Sequence, residues 1–133
     1  MIRKVDHLGI AVTNLDEALD FYETALGLEK GDVEEVASQK VRIAFLPVGE
    51  LNVELLEGME PDSPVAKFVA SKGPGIHHVA MVVDDIDETL AALAAKGVRL
   101  INEQAVPGAH GKRVAFVHPK ATGGVLLELC EGG

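Results

Sequence analysis

Val5-Asp6-His7-Leu8-Gly9-Ile10-Ala11-Val12 aligns with Ile76-His77-His78-Val79-Ala80-Met81-Val82-Val83 at an offset of 71 residues. The same offset carries on into Asn14-Leu15-Asp16-Glu17 and Asp85-Ile86-Asp87-Glu88. It drifts to 74 where Leu51-Asn52-Val53-Glu54-Leu55 faces Val125-Leu126-Leu127-Glu128-Leu129. A drift of that size is what small differences in loop length produce. The chain reads as one module used twice, and the reading of the fold follows from that repeat.

Each copy opens with an apolar, β-branched run, which predicts a strand. A helix follows, announced by Asn14 and Asp85 as N-caps with Glu17 and Glu88 three residues on. Leu15, Ala18, Leu19, Tyr22 and Leu26 recur at helical spacing in the first copy, and Ile86, Leu90, Leu93 and Ala94 in the second. Gly27 and Gly97 stand where C-terminal glycines end helices. Three strands are predicted after each helix: Leu28–Val36, Val41–Pro47 and Leu51–Glu57, then Val98–Asn102, Val114–His118 and Val125–Cys130. Ser63 to Lys72 predicts a linker helix, with Pro64 at its start and Gly73-Pro74-Gly75 after it. The expected fold is therefore α+β, with two tandem βαβββ modules pairing their sheets around a central metal site. Module one covers about residues 1–60, the linker helix about 62–73 and module two about 74–133.

The metal site is expected from four residues at equivalent places in the two copies. His7 and His78 open the first strands, and Glu54 and Glu128 lie within the last strands among leucines and valines. An unpaired carboxylate buried there costs several kcal/mol. Either such a glutamate faces solvent from a one-sided sheet, or a cation meets it. If the modules pair about a pseudo-twofold axis, the four side chains surround one point. Two imidazoles and two carboxylates then form a divalent-metal site with room for substrate oxygens. His77 has the opposite strand parity from His78 and reads as structural.

Composition excludes several other classes. A chain of 133 residues suits one domain, and 47% hydrophobic residues give it an ordinary core. The net charge of −9 opposes a nucleic-acid partner. No apolar run reaches the roughly 20 residues that span a bilayer, and no presequence is recognisable, so a cytoplasmic location away from membranes is expected. Cys130, the single cysteine, rules out an internal disulfide and reads as a small buried hydrophobe. No HExxH, CxxC pair, P-loop or GxSxG elbow is present.

With those residues in view, the chain resembles the vicinal-oxygen-chelate superfamily, which includes glyoxalase I, extradiol dioxygenases and bleomycin-resistance proteins. Within it, the chain resembles the methylmalonyl-CoA epimerase family over essentially its whole length. The matching segments of the first half are Asp6–Val12, Ala44–Gly49 and Val53–Glu57. Those of the second are Gly73–Ala80, Gly108-Ala109-His110-Gly111-Lys112, His118-Pro119-Lys120 and Gly123–Leu129. The resemblance implies that His7, Glu54, His78 and Glu128 ligate a divalent ion, cobalt first, with Ni²⁺, Mn²⁺ or Zn²⁺ also compatible with these donors. It also implies methylmalonyl-CoA as substrate, epimerised by α-proton abstraction and return, and a homodimer. Glu128 is implied as one acid/base.

Some family members carry a second acid on the strand here spanning Val41–Pro47, but this chain offers only Arg42 and Ile43 there. Glu35 or a metal-bound water are the candidates left for the second proton transfer. Lys112, Arg113 and Lys120, close in sequence, are expected to dock the coenzyme A phosphates. The alternatives are a glyoxalase I-like lyase using the same four ligands and a metal-free small-molecule binding protein, against which Glu54 and Glu128 speak.

Overall fold

Both helix starts are fixed by the residues expected to cap them. The structure, a computed structural model, describes residues 2–132; Met1 and Gly133 lie outside the described residues. Its regular elements are strands β1 (Ile2–Ala11), β2 (Val33–Val36), β3 (Val41–Val48), β4 (Leu51–Gly58), β5 (Gly75–Val83), β6 (Val106–Pro107), β7 (Arg113–Val117) and β8 (Leu127–Glu131). The helices are α1 (Leu15–Leu19), α2 (Pro64–Lys72), α3 (Ile86–Ala95) and α4 (Pro119–Thr122). The Glu17 N–H donates to Asn14 Oδ1 and the Glu88 N–H to Asp85 Oδ1, each at 3.0 Å. Asp85→Ala is expected to lower stability by about 1 kcal/mol, read from denaturant unfolding, with no change if the cap contributes nothing.

The chain divides into two units, residues 7–77 and residues 2–6 with 78–132. In the first, the strand order is β2-β3-β4-β1, with β1 parallel to β4 and the other pairs antiparallel. Leu15 and Leu19 of α1 pack on Ala44, Leu46 and Leu55, so one face of this sheet is closed by the helix. Helix α2 is capped by Ser63 Oγ, which accepts from the Ala66 N–H at 3.1 Å. Gly58 makes this approach possible, because a Cβ there would sit 2.3 Å from Ser63 Oγ and 2.7 Å from Ala66 Cβ.

The second unit repeats the pattern with the order β5-β8-β7-β6, β5 running parallel to β8. Ile86 and Leu90 of α3 pack on Val83, Ala115, Val117 and Leu129. The opposite face carries a second apolar cluster of Ala80, Val82, Val114 and Cys130. Cys130 is buried as expected, with its Sγ 3.6 Å from the Met81 carbonyl. No helix among the described residues is long and apolar enough to cross a membrane.

The structure departs from the sequence expectation in four places. Helix α1 gives way to a π-helical turn at Asp20–Ala25, where the Leu26 N–H reaches back to the Phe21 carbonyl. The wider turn rotates Leu26 away from the core, and it is 55% exposed. The strand expected over Leu28–Val36 shortens to Val33–Val36. Val98–Asn102 forms one bridge, Leu100 to Val117, in place of a strand. There the Asn102 side chain accepts the Phe116 N–H at 2.8 Å and takes a bond that a neighbouring strand would make. Finally, β8 begins at Leu127, because the Thr122 hydroxyl accepts the Val125 N–H and bonds its carbonyl, holding Val125 in a turn.

Candidate metal centre

The four repeated residues are buried, each His against the Glu of its own module. In β1 and β4 Gly9 pairs with Glu54, so His7 stands two residues before Glu54's partner. In β5 and β8 Ala80 pairs with Glu128, and His78 again stands two residues before it. That shared offset brings His7 Nδ1 to 3.0 Å from Glu54 Oε2 and His78 Nε2 to 3.1 Å from Glu128 Oε1. The side chains are 7% and 7% exposed in the first pair and 6% and 10% in the second. The repeat extends to the strand beyond, where Phe45 pairs with Glu54 and Phe116 with Glu128. The Phe116 ring meets the His78 imidazole edge to face, centroids 5.8 Å apart. Each glutamate therefore lies between a histidine and a phenylalanine.

Such a donor set fits a divalent cation. A carboxylate buried beside an imidazole is costly unless a cation or further hydrogen bonds meet it. Imidazole nitrogens and carboxylate oxygens are the mixture that first-row divalent ions accept. By contrast, His77 packs edge to face on Phe68 of α2, centroids 5.0 Å apart, as its structural reading expects.

Three further residues, Lys112, Arg113 and Lys120, were expected to dock the coenzyme A phosphates. Arg113 opens β7, a five-residue strand roughly 13 Å long at ~3.3 Å per residue, and Lys120 lies beyond its other end in α4. The Arg113 guanidinium is committed to Asp87 at 2.8 and 3.0 Å and lies 3.4 Å from Glu131. Lys112 Nζ approaches the buried Asp6 at 3.4 Å, and Lys120 is exposed. Its N–H donates to His118 Nδ1, and the desolvated His118, beside Arg99 and Lys120, is held below its ordinary value. Glu35, a candidate for the second proton transfer, lies on β2. Its side chain is 60% exposed and 3.9 Å from Arg42.

Sequence reading missed a second repeated glutamate. Glu57 Oε1 accepts the Leu15 N–H at 3.4 Å and Glu131 Oε2 the Ile86 N–H at 2.9 Å, tying the last strand of each module to the first turn of its helix. Arg42 lies 3.7 Å from Glu57, and Arg113 lies 3.4 Å from Glu131. The signal was present, since Arg42 and Arg113 stand 71 apart and Glu57 and Glu131 stand 74 apart, the two offsets of the repeat.

A family model of the glyoxalase/bleomycin resistance protein/dioxygenase superfamily matches residues 6–116, and the chain belongs to that superfamily. It is 44% identical over 130 residues to the uncharacterised protein YqjC of Bacillus subtilis (strain 168), covering 98% of this chain and 93% of that protein. It is 39% identical over 127 residues to the mitochondrial methylmalonyl-CoA epimerase of Bos taurus, covering 95% of this chain and 73% of the other. The structure superposes with a TM-score of 0.94 on a methylmalonyl-CoA epimerase in complex with methylmalonyl-CoA and NH4+. That match is 36% identical and covers all of this chain and 96% of the other. Within the superfamily, these relatives place the chain in the methylmalonyl-CoA epimerase family.

Proposed function

We propose that the chain interconverts the two epimers of methylmalonyl-CoA, with His7, Glu54, His78 and Glu128 holding a divalent metal ion. The observation that carries this reading is the buried His–Glu pair, set at the same register offset in both modules. The near full-length likeness to epimerases supports the choice of substrate.

The α-carbon of methylmalonyl-CoA bears a proton between a thioester carbonyl and a carboxylate. Glu128, whose Oε1 lies 3.1 Å from His78 Nε2, is the base that removes it. When bound, the ion supplies Lewis-acid stabilisation of the negative charge that develops on the thioester oxygen. Phe116, paired across the strands with Glu128, limits water around that carboxylate. Return of a proton to the opposite face of the planar enolate completes inversion. Cobalt as the ion, a homodimer as the assembly and the cytoplasm as the location are proposed with it. The first two rest on the family resemblance and the third on composition.

Chelator-treated protein should lose epimerisation of a single methylmalonyl-CoA epimer and regain it with Co²⁺. The hemithioacetal of methylglyoxal and glutathione, offered in parallel, should not turn over. Stripped protein that epimerises at an unchanged rate contradicts the reading.

A further inference from the structure

His118-Pro119-Lys120 plays no part in the His–Glu site, yet the end of β7 gives it a definite environment. The His118 N–H donates to the Arg99 carbonyl at 3.1 Å and the Ile101 N–H to the Phe116 carbonyl at 2.9 Å, on either side of the Leu100–Val117 bridge. Arg99 is therefore directly opposite His118, and residues directly opposite in an antiparallel pair share a face. Leu100, Ala115, Val117 and Leu129 belong to the cluster under α3. Arg99, Phe116, His118 and Glu128 thus lie on the other face, that of the His78–Glu128 contact. Phe116 pairs with Glu128, and His118 stands two residues on, roughly 7 Å along the chain.

Three groups meet at this edge of the face. His118 Nδ1 accepts the Lys120 N–H at 3.0 Å, so the proton of the neutral ring is on Nε2. Desolvation, with Arg99 and Lys120 close by, holds the imidazole below its ordinary value and keeps it neutral. Nε2–H is then a donor, and it has no acceptor among the described residues. Arg3, Lys112 and Arg113 of the same unit each face a carboxylate, at 2.7, 3.4 and 2.8 Å. Among the described residues neither Arg99 nor Lys120 has such a partner, and both are exposed. In a chain of net charge −9, two unpaired cations beside a half-buried N–H donor make a local anion site. Phosphate suits it, because its several oxygens can meet a guanidinium fork, an ammonium and an imidazole N–H together.

We propose that Arg99, His118 and Lys120 bind a phosphate group of the coenzyme A moiety, an inference that rests on the epimerase reading above. In that reading the acyl group lies at Glu128, and the pantetheine arm separates the thioester from the phosphates. A phosphate site therefore belongs toward the rim of this face, displaced from the base as these residues are. Lys120 is kept from the set expected in the sequence, and Arg99 and His118 join it. Arg113 stands at the opposite end of β7, bonded to Asp87.

The test compares methylmalonyl-CoA with methylmalonyl-pantetheine, which has the same acyl group and thioester but no phosphate, on metal-replete protein. Wild-type protein should show the higher kcat/KM with the coenzyme A ester. Arg99→Ala and Lys120→Ala should each raise KM for that ester by about tenfold, the worth of one charged hydrogen bond, as loss of uniform binding does. Neither should change kcat/KM for the pantetheine ester. His118→Asn keeps an acceptor for the Lys120 N–H but withdraws the Nε2 donor, and should show the same selective loss. Lys4→Ala removes an exposed cation near Asp84, at the other end of these strands, and should leave both esters unaffected. Equal losses with the two esters overturn the inference, since they place the effect on the acyl group or the fold. So do unchanged kinetics in all three variants, or a wild-type protein that does not distinguish the esters. Wild-type protein that epimerises neither ester removes the parent reading, and this inference with it.

Discussion

His78→Ala and His7→Ala are each expected to lose metal and nearly all epimerisation while the fold survives. Lewis-acid stabilisation is worth several kcal/mol, and each ~1.4 kcal/mol is tenfold in rate, so the loss should be at least about 10³-fold. The fold should persist because the helix-facing clusters that close each sheet involve neither histidine. Some stability should go, since each substitution leaves a buried glutamate without its imidazole neighbour. Metal analysis beside circular dichroism checks both parts. Full activity with undiminished metal in both variants contradicts the assignment.

The second large effect is expected at Glu128, where holding metal and moving a proton are separable. Glu128→Gln keeps the shape and an acceptor oxygen but loses the charge and the capacity to take a proton. If Glu128 only ligated, saturating metal would recover much of the rate. As a base as well, its loss should leave the fully metallated variant slower by roughly 10²–10⁴-fold. Glu128 is buried with its Oε1 3.1 Å from His78, so an ion held by this pair would lie beside the carboxylate. A metal-saturated Glu128→Gln protein inverting substrate at the wild-type rate places that base elsewhere.

What the sequence disclosed of this molecule came through its repeat. A lone glutamate in a strand carries little information, but Glu54 and Glu128 at equivalent positions, each with a histidine in step, pointed to a shared chemical purpose, and the structure buries all four. The caps at Asn14 and Asp85 were legible for the same reason, because local hydrogen bonding depends on few residues. The features missed depend on geometry that linear spacing does not carry. Leu26 keeps an α-helical interval from Tyr22, yet the π-helical turn between them swings it to solvent. Val98–Asn102 has a strand's composition, and a single side-chain amide at Asn102 displaces the ladder. Arg113 and Lys120 are near in the sequence, with an extended strand running from the arginine toward the lysine and Asp87 bonded to the arginine.

Solvent-deuterium incorporation at the α-carbon of methylmalonyl-CoA tests the central claim most directly, since it reports proton abstraction before any question of stereochemistry. One pure epimer is incubated in D₂O with metal-free protein and again after Co²⁺ is restored, and the α-proton signal is followed by NMR. The account predicts exchange at the background rate in the first sample, and in the second rapid exchange with formation of the other epimer. Rapid exchange by the metal-free protein would contradict it, and so would failure of the metal-loaded protein to exchange that proton at all.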